Sequence, residues 1–258
     1  MTTTPSEVRD VDYVVIGAGS AGCVVADRLS ASGKFTVLVL EAGGNDSSLA
    51  VRIPGAVALT AGNPDFDWCN LSQPDPTRND RIDPWPRGRI VGGGSSTNGQ
   101  LYVRGQPADY DHWASLGNPG WAYQDVLPQF RKLERYSGPT GDPSRGVDGP
   151  LRVGPVRGPH LLSKAFVDAA SEVGITKNTD YNNGNQFGAS IAQVTQKRGW
   201  RHSSSRAFLR PNLKRPNLQL ETHATVKKIQ IENGTATGVH YRGDGGDCLL
   251  YTSPSPRD

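Results

Sequence analysis

The sequence predicts an α/β fold with a parallel sheet, and three observations near its start carry that reading. A short β-branched apolar run at residues 11–16 stops at Gly17. A stretch at 20–32 has helical apolar spacing, and a second apolar run at 36–40 delivers Glu41. Strand, glycine turn, helix and strand in that order make one βαβ unit, whose crossover is right-handed.

The first run is short and apolar throughout, as a strand buried on both faces requires. In the helical stretch Val24, Val25, Ala26 and Leu29 supply the apolar side, and Gly33 supplies a C-cap. Residues 42–94 break into loops rich in Pro, Asp and Asn, with Trp68 and Trp85 among them. So long an irregular excursion in a compact domain usually carries function. Residues 109–136 read as two helical pieces split at Gly117-Asn118-Pro119-Gly120. Residues 163–173 read as an amphipathic helix with Leu162, Ala165, Phe166 and Ala169 on one side. Strands are expected at 218–222, 226–232 and 236–241, the last two joined by an Asn233-Gly234 turn.

Composition excludes several functions. A formal charge of +3 over 258 residues, with Lys and Arg scattered, leaves no footprint for nucleic acid. Three cysteines, Cys23, Cys69 and Cys248, have neither disulfide-framework nor zinc-site spacing. No segment reaches the length of a membrane span and the first ten residues have no apolar leader, so a cytoplasmic location is expected.

The chemistry begins with Gly17-Ala18-Gly19-Ser20-Ala21-Gly22, a GxGxxG loop between a strand and a helix. Gly17 allows the tight turn, Gly19 lets backbone approach a pyrophosphate, and Gly22 permits close packing of helix on strand. The pyrophosphate sits at the helix N-terminus beside Ser20, where free N–H groups and the helix dipole favour negative charge. Glu41, 19 residues beyond Gly22, is placed to accept hydrogen bonds from ribose hydroxyls. This fingerprint does not separate FAD from NAD.

A second glycine segment does. Residues 88–99 read GRIVGGGSSTNG and continue as QLYVRG to residue 105. Three consecutive glycines and two serines expose backbone amides that can approach a flat ring or a phosphate. With DYVVIGAGSAGCVVADRLS, LEAGG, RIPGA, DHWASLGNPGWAYQDVLPQFRKLE and QVTQKRGWRHSSSRAFLRP, the chain resembles the glucose-methanol-choline (GMC) oxidoreductases over nearly its whole length.

The resemblance implies a Rossmann-like FAD-binding domain over residues 11–247, with an interleaved, incomplete substrate-binding region at about 50–85 and 110–195. It implies FAD, with Gly17, Gly19, Ser20 and Gly22 at the pyrophosphate and Glu41 at the ribose. Val91, Asn98, Gly99, Gln100 and Leu101 would lie by the flavin, and Val226 would meet the adenine through its backbone. Two positions depart from the family. Thr97 stands where some members carry a histidine bonded to the flavin, so the FAD is expected to be non-covalent. Gln100 replaces a more usual apolar residue.

The implied reaction is oxidation of a small-molecule alcohol at its CH–OH group, with hydride passing to the flavin and then to oxygen or another electron acceptor. Choline, aliphatic or aromatic alcohols and polyether alcohols all remain open. Alternatives are a truncated FAD-binding piece without turnover, or an FAD-containing lyase of the same family. None of His112, His160, His202, His223 and His240 stands at a family catalytic position. The catalytic residues are therefore expected outside this chain, which alone is expected to be inactive. Residues 248–258, CLLYTSPSPRD, are what a transposase-type sequencing adapter encodes in one frame. They are expected to be an artefact tail without a native role.

Overall fold

The computed structural model describes residues 10–139 and 141–252, with side chains as far as Leu250. They fall into two compact units, one formed by the chain up to Gly99 together with the chain from Ser203, the other by Gln100–His202.

In the first unit, Leu218–Glu221, Val37–Leu40 and Tyr13–Ile16 form a parallel sheet in that order. Val37, Leu38, Val39 and Leu40 in the middle are all at most 1% exposed, which matches the unbroken apolar run of a strand covered on both faces. Helix Ser20–Ser30 buries Cys23 and Ala26. It ends two residues before the expected boundary, and Gly33 follows at φ +73 with its N–H on the Ser30 carbonyl.

The expected strand at 11–16 is interrupted at Asp12, whose carboxylate accepts from the N–H and hydroxyl of Thr36. Val11 instead belongs to a second sheet with Gly246–Thr252, Thr235–Gly243 and Thr225–Glu232. Asn233 and Gly234, at φ 50 and 80, close the tight hairpin with both central residues left-handed. Val11, Leu38, Leu40, Ala224, Val239, Tyr241 and Leu250 form one core cluster that ties the two sheets together.

Strand Gly246–Thr252 runs across the expected boundary at 247/248. Cys248 pairs with Tyr241 and packs on the core cluster, and Leu250 is 2% exposed. The reason is alternation: Cys248 and Leu250 fall on one face of the strand, after an Asp244-Gly245 turn. Residues 253–258 lie outside the described residues.

Residues 50–85 are one of the two substrate-side stretches expected from the sequence. They belong to the first unit because their backbone is tied to the second glycine segment. The Trp68 N–H donates to the Arg87 carbonyl and the Arg89 N–H to that of Phe66. Asp67 accepts from the N–H groups of Gly62, Arg87 and Cys69.

The second unit holds all of the other expected substrate-side stretch, 110–195. Helices Pro107–Ser115 and Tyr123–Leu133 flank the expected glycine-proline break and share an aromatic cluster in which Tyr110 meets Trp113 and Phe130. Glu134–Tyr136, Leu151–Pro155 and Gln193–Val194 form a three-stranded sheet. Glu134, the first residue of that sheet and fully buried, takes Arg145 at 2.8 Å and Arg104 at 2.9 Å. Helix Leu161–Glu172 forms as expected, but the side carrying Leu162, Ala165, Phe166 and Ala169 is exposed and Val167 is the residue it buries. Periodicity located the helix correctly; which side is covered depends on neighbours the pattern does not name. No helix among the described residues is long and apolar enough to cross a membrane.

Candidate functional site: a dinucleotide cradle

The first strand ends at Gly17, which turns at φ +90 with its N–H on the Leu40 carbonyl. The chain then enters helix Ser20–Ser30 through Gly19, whose missing Cβ faces open space. A Cβ on Gly22 would run into the Gly17 carbonyl oxygen, so helix and strand touch backbone to backbone. The three glycines thus act as the fingerprint requires: one turns, one leaves a gap, one lets the helix approach.

Glu41 emerges from the middle strand, 5% exposed. Its carboxylate accepts from the Ala18 N–H at 2.8 Å and the Gly43 N–H at 2.9 Å. Burial raises its pKa, while those N–H donors and the nearby Arg89 guanidinium pull the other way. A carboxylate has about four acceptor positions, so two protein donors leave capacity for a ligand's hydroxyls.

The second glycine segment closes over the first. The Gly92 N–H donates to the Ala18 carbonyl at 2.6 Å and the Val91 N–H to that of Gly44 at 3.0 Å. Gly93, at φ +51, lies so close that a Cβ there would sit 2.8 Å from the Gly19 Cα. A Cβ on Gly43 would strike the Arg89 carbonyl, and one on Gly88 would sit 2.5 Å from the Gly93 carbonyl. Close backbone approach, between the loops or within the second one, therefore accounts for these glycines without any ligand. A Cβ on Gly94 or Gly99 would meet nothing within 4 Å, and at the first loop Gly17 and Gly19 face space.

That space is a cavity of about 270 Å³ lined by Gly17, Gly19, Glu41, Trp68, Gly93 and Val226, among others. It is smaller than the ~300–1,000 Å³ of sites that enclose whole drug-sized ligands, a size suited to part of a dinucleotide. The helix N-terminus and the backbone of Gly19 can meet a pyrophosphate, and Glu41 a ribose. The donor set fits that part of FAD.

The structure brings Gly17, Gly19, Glu41 and Val226 to one cavity, with Ser20 exposed where the helix opens and Gly22 behind it. It does not bring the other expected residues there. Val91 is 1% exposed, its side chain inside the core, and Asn98 and Gly99 are exposed at the end of the second glycine segment. Gln100 and Leu101 fall in the second unit, where Gln100, at φ 65, accepts from the Thr195 N–H and Leu101 bridges to Val194. Sequence reasoning missed Trp68 as a cavity wall. Its ring lies 5.3 Å from the Arg89 guanidinium, and no local motif marks that pairing. None of the lining residues is a histidine.

The family model for GMC oxidoreductases matches residues 11–252. The chain is 45% identical over 236 residues to the oxygen-dependent choline dehydrogenase of Sinorhizobium fredii, and 42% identical over 246 residues to that of Photobacterium profundum. These alignments cover 91% and 94% of this chain but 42% and 43% of the relatives, so the chain spans less than half of their length. Among solved structures, pyridoxine 4-oxidase from Mesorbium loti superposes with a TM-score of 0.89 at 27% identity, over 94% of this chain and 48% of that one. An FAD-dependent oxidoreductase from Chaetomium thermophilum gives 0.86 at 29%, over 95% and 44%. With its βαβ unit, paired glycine segments and buried glutamate in one cradle, the chain belongs to the GMC oxidoreductase family and has that family's FAD-binding fold.

Proposed function

We propose that this chain is the FAD-holding part of an oxidoreductase that acts on the CH–OH group of a small alcohol, choline or another primary or secondary alcohol. The carrying observation is that Gly17, Gly19, Glu41 and Val226, from three separate stretches of sequence, line one cavity. FAD, when bound, supplies the acceptor for the hydride leaving the alcohol carbon, and oxygen or another acceptor takes the electrons onward. The chain's own part is to bind and orient. Gly19 and the start of helix Ser20–Ser30 hold the pyrophosphate, Glu41 the ribose, and the backbone at Val226 the adenine. Val91, Asn98, Gly99, Gln100 and Leu101 are proposed to lie toward the flavin. Thr97 offers no nucleophilic nitrogen, so the FAD is held without a covalent bond.

The test is the absorbance of the purified full-length protein, with an alcohol then added under anaerobic conditions. A yellow protein whose flavin bleaches supports the proposal. A colourless protein that takes up NADH but not FAD overturns the cofactor; a yellow one that turns over substrate without net bleaching points to the lyase reading.

A further inference from the structure

We propose that the second unit carries a binding site for a small polyanion, in the cavity bounded by Arg152, Arg157, Lys197 and Arg198. The cavity, of about 360 Å³, is larger than the one at the glycine loops, and every residue that lines it lies between 137 and 199. The sequence block that supplies two of these cations, QVTQKRGWRH, has no part in the cradle described above.

Charge is the first observation. Four cationic side chains line the cavity and no carboxylate does. By contrast, the buried Arg104 and Arg145 both meet Glu134, and Arg145 also meets Asp180. Among the described residues, the side chains of Arg152, Arg157, Lys197 and Arg198 make no ion pair and no hydrogen bond. Like charges gathered in a concave site repel, and the low-dielectric walls focus their field outward to a counter-ion. A small polyanion relieves that repulsion and can take paired N–H donors from each guanidinium.

Backbone geometry is the second and independent observation. Gln196–Lys197 and Trp200–Arg201 form a tight antiparallel hairpin whose two turn residues are Arg198, at φ +55, and Gly199, at φ +84. Such a turn favours Asn, Asp or Gly at its first position, because a side chain with a Cβ is strained at positive φ. Arginine there costs stability and places a long cation at the rim of the cavity. Strain retained at one residue is a mark of function when that residue contributes chemistry the favoured ones lack. The floor is built closely: a Cβ on Gly154 would run into the Ser137 hydroxyl, and the Arg152 N–H is held by His202 Nδ1 at 3.2 Å.

Inorganic pyrophosphate is the probe, titrated into the full-length protein by calorimetry at about 50 mM salt, where screening is weak. The expected result is saturable binding to one site, weakened severalfold at about 500 mM salt. Arg198→Gly removes a cation and the strain together, so its melting temperature should hold or rise while pyrophosphate affinity falls about tenfold. Lys197→Gln should also weaken binding without loss of fold. Absence of saturable binding to the wild-type protein overturns the proposal. So does an Arg198→Gly variant that is more stable yet binds as tightly as before, since that is the result expected if the arginine occupies the turn without a ligand. Flavin content does not enter either readout, so the outcome is independent of the cofactor proposal.

Discussion

The Glu41 carboxylate accepts the backbone N–H of Ala18 at 2.8 Å, across 23 residues of sequence. The acidic residue at the end of the second strand is thus also a strut for the glycine loop, since its other oxygen takes the Gly43 N–H.

Glu41→Ala removes both struts and the acceptor for the ribose. FAD affinity should fall by about 1–3 kcal/mol, the usual cost of losing hydrogen bonds to a charged group. Glu41→Gln keeps an acceptor for one N–H and should fall between the two. Titration by flavin fluorescence reads the difference, and an unchanged affinity in Glu41→Ala removes this residue from the site.

Gly19 and Gly22 should respond in opposite ways. A Cβ on Gly19 meets nothing within 4 Å, and its φ of −73 suits alanine. Gly19→Ala should therefore leave thermal stability nearly unchanged while weakening FAD at least tenfold, because the methyl group enters the space assigned to the pyrophosphate. Gly22→Ala should lower stability directly, through collision with the Gly17 carbonyl. If Gly19→Ala binds FAD normally, the pyrophosphate lies elsewhere.

Acid precipitation of the flavin-loaded protein should leave the yellow colour in the supernatant, since Thr97 cannot form a bond to the flavin. Colour retained in the pellet would mean that another side chain is attached.

Two carboxylates should give opposite pH signatures. Burial raises Glu41 above its ordinary 4.5, so the folded state holds that proton to higher pH than the unfolded chain. Its contribution is complete below pH 4.5 and is lost as pH rises through the raised value. At Asp67 burial also pushes upward, but the N–H donors of Gly62, Arg87 and Cys69 outweigh it and leave the pKa below 3.8. Its contribution is present above 3.8 and is lost as pH falls through the lowered value. Melting curves across pH 2–7 should show Asp67→Asn flattening the acid limb and Glu41→Gln removing a decline near and above pH 4.5.

Glu134→Ala should cost about 3–5 kcal/mol, because it leaves the guanidiniums of Arg104 and Arg145 buried without their counter-charge. Loss should be seen as a lower melting temperature of the full-length protein, with FAD affinity at the glycine cradle unchanged.

The local pattern of residues determined the βαβ unit, the GxGxxG turn, Glu41 and the Asn233-Gly234 hairpin. Each of these rests on interactions between near neighbours: apolar runs, positive φ and helix-end amides. Tertiary structure alone decided that Gly93 closes on Gly19, that Trp68 walls the cavity and that residues 50–85 join the first unit. It also turned the side of helix Leu161–Glu172 with Phe166 outward and drew Gly246–Thr252 into the sheet. The physical reason is that periodicity states which residues share a face but not what covers it. Close backbone approach between distant loops leaves only glycines in the sequence, and their partners are named only when the chain has folded.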